Sequence, residues 1–160
     1  MTTRPQAGGE QQDQPPGVVA EGTEESGNND GEAGRVLVVD DVPEVREVVG
    51  RGLTRAGYQV SVAGDGRDAL NKLSHGPLID AVVTDIEMPV MSGAELAAKV
   101  LDGYPGTPVL FVSSDDPPEH LHRNPLVDSV GKPPLIAELR GRLSRLLATA
   151  MGYRRRKSSQ

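Results

Sequence analysis

The chain is 160 residues long, the size of one domain, and its 36% hydrophobic content is diluted by 19 glycines and 13 prolines. Seven acids and only one base, Arg4, fall within residues 1–34, so that segment carries the whole net charge of −6, and residues 35–160 balance at 16 of each sign. The absence of cysteine excludes disulfides, thiolate metal sites and cysteine nucleophiles, and 2% aromatics leave few platforms for stacking single-stranded bases.

Residues 1–34 are Gly, Gln, Pro, Glu, Ser and Asn with scattered apolar positions. They bury too little surface to offset their ordering entropy and are expected to be disordered. No apolar stretch has the length of a signal-peptide core or a membrane span, so a soluble cytoplasmic protein without membrane contact is expected.

Order is expected from Arg35. Val36-Leu37-Val38-Val39 reads as a strand buried on both faces, ended by Asp40-Asp41. Pro43 suits the first turn of a helix whose inward face is Val45, Val48, Val49, Leu53 and Ala56, closed by Gly57. Gln59–Val62 predicts a short strand, and Ala69, Leu70 and Leu73 a second helix ended near Gly76-Pro77. Ala81–Thr84 is a third strand stopping at Asp85, followed by a helix from Gly93 to Val100. Val109–Val112 is a fourth strand stopping at Ser113-Ser114. Val127–Val130 is a weak fifth, before Lys132-Pro133. Leu135, Ile136, Leu139, Leu143, Leu146 and Leu147 mark the last amphipathic helix. The expected division is a tail over 1–34, a domain over 35–148 and a basic polar tail over 149–160. Alternating strands and helices with short connections predict an α/β fold with a flavodoxin-like, doubly wound, five-stranded parallel sheet.

In such sheets ligands lie beyond the carboxyl ends of the strands. The polar residues expected there are Asp40, Asp41, Asp85, Ser113 and Lys132. Taken singly, the acidic pair is as well explained by helix capping, Ser113 by a turn and Lys132 by solvation. Taken together, three carboxylates at one edge repel one another and suit a hard divalent cation, Mg²⁺ before others, since no His or Cys joins them. Beside that ion Asp85 could attack phosphorus, with Ser113 and Lys132 as donors to the phosphoryl oxygens.

The strings Val36-Leu37-Val38-Val39-Asp40-Asp41, Asp85-Ile86-Glu87-Met88-Pro89-Val90-Met91-Ser92-Gly93, Pro108 to Ser113 and Lys132-Pro133 resemble the receiver domain of two-component response regulators. The resemblance runs from about Arg35 to Ala148. It implies Asp85 as phosphoacceptor, Asp41 as a direct Mg²⁺ ligand, Asp40 as a ligand through water, and Glu87 as a ligand through its backbone carbonyl. Ser113 would be the switch hydroxyl and Lys132 the partner of the phosphoryl group. It also implies a histidine kinase or histidine phosphotransfer protein as donor, a cis Lys132-Pro133 peptide, and output through a separate, unidentified protein target.

Four features depart from the family pattern. Ser129 stands where an aromatic residue usually couples the switch hydroxyl to the surface. Pro134 replaces a Phe, and Ser114 a smaller residue. Asp115-Asp116-Pro117-Pro118 and Pro125 predict a fourth helix that is short, displaced or missing. Glu87 and Asp115 border the expected path of the hydrolytic water.

Two other classes fit less well. A haloacid-dehalogenase-like phosphohydrolase wants Asp where Glu87 stands, and a phosphate-cradling nucleotide loop wants glycines where Asp40-Asp41 stand. A pseudo-receiver that binds without phosphorylation, or the receiver portion of a hybrid kinase, are the alternatives within the fold. After Ala148 there is room for a short tail, so no DNA-binding domain is expected, Arg154 to Lys157 read as a solvated end, and the Met1 start favours a complete small protein over a piece.

Overall fold

The structure is a computed structural model and describes residues 33–158. The expected disorder of residues 1–34 falls, Ala33 and Gly34 apart, outside the described residues.

Among the described residues, five strands and five helices alternate: β1 (Arg35–Val39), α1 (Pro43–Arg55), β2 (Gln59–Ala63), α2 (Gly66–His75), β3 (Ala81–Asp85), α3 (Gly93–Gly103), β4 (Val109–Val112), α4 (Glu119–His122), β5 (Val127–Val130) and α5 (Ile136–Ser158). The strands form one parallel sheet in the order β2-β1-β3-β4-β5. β1 lies between its two neighbours, with Val38 opposite Val62 on one side and Val83 on the other. This is the flavodoxin-like order, in which the chain reverses direction across the sheet between β1 and β3.

Side chains alternate across each strand, and both sides are apolar because both are covered. Val36, Val38, Ala81, Val83, Leu110 and Val112 pack with Val49 and Leu53 of α1 and with Leu139, Leu143 and Leu146 of α5. Leu37, Val39, Val82, Val109 and Phe111 pack on the other face with Ala69 of α2 and with Leu96, Ala97 and Val100 of α3.

Local signals set the helix starts. Pro43 occupies the first turn of α1. Asp65 accepts the Asp68 N–H at 2.8 Å at the start of α2. Ser92 and Glu95 form a reciprocal capping box on α3, at 3.1 and 3.0 Å.

The fourth helix is a single turn, as the prolines predict. Pro117 and Pro118 offer no backbone donor, and Pro125 blocks extension beyond Arg123. The turn is pinned by buried Leu121, which joins the α2/α3 side of the core.

Three readings need correction. Residues 149–158 are the continuation of α5, where the sequence suggested a polar tail. Ala150 is fully buried there, and Arg154 Nη2 donates to the Gly106 carbonyl at 2.9 Å, so the added turns have core and backbone partners. Val48, expected inward, is 55% exposed because Val49 and Leu53 fill the core-facing stripe of α1. Leu135 is 67% exposed: it precedes the first turn of α5, where its carbonyl accepts the Leu139 N–H while its side chain meets solvent.

Candidate functional site

β1 and β3 end side by side, and each delivers an acidic residue as it leaves the sheet. The Asp40 N–H still donates to the Ala63 carbonyl of β2, at 3.2 Å, so its backbone is fixed by the sheet. Its Oδ1 accepts the Val42 N–H at 2.9 Å, which turns the chain toward α1. Asp41, one residue on, is exposed. Asp85 is the last residue of β3, and its Oδ1 accepts the Glu87 N–H at 3.2 Å. One carboxylate oxygen from each of Asp40, Asp41 and Asp85 lies within 4.8 Å of the others.

Lys132 reaches this group from the loop after β5. Its Nζ donates to Asp85 Oδ2 at 2.8 Å and lies 4.0 Å from Asp40 Oδ2. The Lys132-Pro133 peptide is cis. Ser113 follows β4, its N–H donating to the Val130 carbonyl at 3.0 Å and its Oγ accepting the Asp115 N–H at 3.2 Å. Asp85, Glu87, Ser113, Ser114, Asp115 and Lys132 line an open depression of about 240 Å³. The Glu87 side chain is exposed and stands outside the three-carboxylate group.

The electrostatics follow from burial and crowding. Burial pushes the Asp40 carboxyl above its ordinary range, and the charges of Asp85 and Asp41 push the same way. The Val42 N–H and the Lys132 ammonium only partly oppose them. For Lys132 burial works against the charged form, but the hydrogen bond it donates to Asp85 and the charges of Asp85, Asp40 and Asp41 outweigh it and hold its pKa above the usual lysine value. The lysine is therefore a fixed cation facing a surplus of carboxylates.

Further neighbours complete the geometry. Arg46 Nη1 donates to the Asp40 carbonyl at 2.7 Å. Gly93 approaches β3 so closely that a Cβ there would sit 1.9 Å from the Asp85 carbonyl oxygen, and its N–H donates to the Ile86 carbonyl at 2.7 Å. Between them, Val90 adopts a φ of +72° in a three-residue turn closed by the Met91 N–H on the Pro89 carbonyl at 2.8 Å. The glycine had a legible signal in the Met-x-Gly spacing. The arginine had none beyond its place on the first turns of α1.

The Response regulator receiver domain family model matches residues 36–140. TcrX, a probable transcriptional regulatory protein of Mycobacterium tuberculosis, is 38% identical over 87 residues, covering 54% of this chain and 37% of that protein. The chain spans well under half the length of the curated relatives it matches. Among solved structures, the chemotaxis protein CheY4 of Vibrio cholerae is 33% identical with a TM-score of 0.61, covering 70% of this chain and 97% of that one. The response regulator TrrA of Thermotoga maritima, solved in complex with Mg²⁺ and BeF, is 30% identical with a TM-score of 0.60, covering 70% of this chain and 97% of that one. With the sheet order, the strand-end carboxylates and the family match in agreement, the chain belongs to the response-regulator receiver domain family.

Proposed function

We propose that Asp85 accepts a phosphoryl group, with Mg²⁺ bound by Asp41 and Asp85 directly, by Asp40 through water and by the Glu87 backbone carbonyl. The observation that carries this reading is the Lys132–Asp85 ion pair at 2.8 Å beside the converging carboxylates of Asp40 and Asp41. The donor set fits the ion: hard oxygens only, from three carboxylates that crowd one another. When bound, Mg²⁺ would neutralise the carboxylates and the incoming phosphoryl oxygens.

The chain's own residues do the rest. An Asp85 carboxylate oxygen attacks phosphorus, the P–N bond to a donor phosphohistidine breaks, and the imidazole leaves, taking up a proton from solvent. Lys132 exchanges its contact with the Asp85 carboxylate for one with a phosphoryl oxygen. Ser113 Oγ accepts the Asp115 N–H and so keeps its own proton to donate to another. A histidine kinase or histidine phosphotransfer protein supplies the phosphoryl group, and the modified surface changes which protein the domain binds. The chemistry is that of a signalling module that helps catalyse its own modification and its reversal.

Incubation with Mg²⁺ and acetyl phosphate, followed by intact mass, tests the reading. The expected result is a gain of one phosphoryl group, absent in Asp85→Asn and slowed about tenfold or more in Asp41→Ala. A wild-type chain that never gains mass would make it a binding module without phosphotransfer.

A further inference from the structure

We infer that Arg46 is a positioning residue for the divalent-ion site, holding the Asp40-Asp41 turn in shape through the Asp40 backbone carbonyl. The inference rests on the Mg²⁺ reading above. The turn must bend the chain sharply out of β1 and still present two carboxylates to Asp85. Three contacts fix it: the Asp40 N–H on the Ala63 carbonyl, the Val42 N–H on Asp40 Oδ1, and Arg46 Nη1 on the Asp40 carbonyl at 2.7 Å. The last is the one made by a charged donor, and such bonds are shorter and stronger than neutral ones.

The arginine is placed for this by helix geometry. Its own N–H donates to the Val42 carbonyl at 3.1 Å, so Arg46 sits one helical turn beyond the bend and its side chain reaches back over it. The guanidinium also lies against Gly64, where a Cβ would be 3.2 Å from Nη1. It thus joins the ends of β1 and β2 to the start of α1. Its target is a main-chain oxygen, which locates the turn without neutralising the carboxylates that the ion needs.

Two consequences of removing this side chain have opposite signs, which makes the inference testable. A positive charge near the site repels Mg²⁺, so deleting charge alone tightens binding. Loss of the clamp loosens the ligands and weakens binding, typically tenfold or more for such supporting contacts. The experiment is a calorimetric Mg²⁺ titration of the full chain as wild type, Arg46→Ala, Arg46→Lys and Arg46→Met, with thermal melts in EDTA to establish folding. Arg46→Ala should bind about tenfold more weakly. Arg46→Lys, which keeps a donor, should stay within about threefold of wild type. At saturating Mg²⁺ the acetyl phosphate reaction of Arg46→Ala should return to within about twofold of wild type, since the defect lies in binding the ion.

Equal or tighter Mg²⁺ binding in Arg46→Ala overturns the inference, because the arginine would then contribute only charge. An equal loss in Arg46→Ala and Arg46→Lys overturns it too. If Arg46→Ala fails to fold, Arg46→Met decides, because it keeps the aliphatic stem without a donor: a folded protein with weakened binding supports the clamp, and one with unchanged binding refutes it. A wild-type chain that binds no Mg²⁺ overturns the parent reading and this one together, whereas wild-type binding left unchanged by Arg46→Ala overturns this one alone.

Discussion

The ends of β1 and β3 form the carboxyl edge of the sheet, and the stretch around α4 leads from that edge across one face to β5, yet the two are built to different standards. At the first, main-chain contacts follow one another closely: Asp40 on Ala63, Arg46 on Asp40, Gly93 against Asp85. At the second, one helical turn hangs on Leu121 between prolines, and Ser129 leaves the neighbouring strand without a large side chain to carry a rearrangement outward. Phosphoryl chemistry needs carboxylates held to within about half an ångström. A binding surface needs only enough stability to present a shape, and it can be reshaped by less free energy when its local contacts are few. The difference places the constraint at the carboxylates and the freedom around α4.

The largest expected effect tests the tight side. In Gly93→Ala the added methyl meets main chain, which no side-chain rotation relieves, so a loss of about 4 kcal/mol in urea unfolding is expected. A loss below about 1 kcal/mol would show that α3 can retreat from β3 and that the edge is less rigid than its contacts imply. A matched pair compares the two regions directly. Leu96→Ala in α3 should cost about 3 kcal/mol, and Leu121→Ala in α4 about 2 kcal/mol or less, because a single turn can settle into the space. Amide exchange across Glu119–Arg123 should then accelerate while α3 stays protected. Equal global losses would erase the contrast.

A smaller effect probes the cost of the crowded carboxylates. The folded pKa of Asp40 is raised, so its contribution to stability is fully present below the ordinary value near 3.8 and is lost as pH rises through the folded value. Ionised Asp40 is therefore a burden at neutral pH without metal. Asp40→Asn keeps the acceptor for Val42 and should raise the melting temperature in EDTA by about 5 °C at pH 7, with the advantage shrinking toward acid. It should also reduce the rise that Mg²⁺ gives the wild type. Smallest is the release of local strain: Val90→Asn, at a φ that a β-branched residue tolerates poorly, should add about 0.5 kcal/mol in urea unfolding.

Much of this was legible in the residues. Strands covered on both faces leave uninterrupted apolar runs, and each run ends on the polar residue that the sheet then delivers to one edge, so Asp40, Asp41, Asp85, Ser113 and Lys132 could be grouped in advance. The one-turn α4 was legible because proline acts through its own covalent structure. What escaped depends on main-chain partners and on packing between elements. Arg46 acts through a main-chain oxygen, which no residue pattern advertises. Val48 and Leu135 are apolar and at helical spacing, but the packing of α1 and α5 leaves them at the flank. The last turns of α5 looked like a tail because only Ala150 among them enters the core, and the acceptor for Arg154 is a carbonyl before β4.

That last feature bears on where the chain can be cut. A truncation after Ala148, where composition changes, would sever α5 inside a continuous helix, remove fully buried Ala150 and leave the Gly106 carbonyl without its guanidinium. Fusions and shortened versions should retain residues through 158, and a tag joined at 148 would be joined to the middle of a structural element.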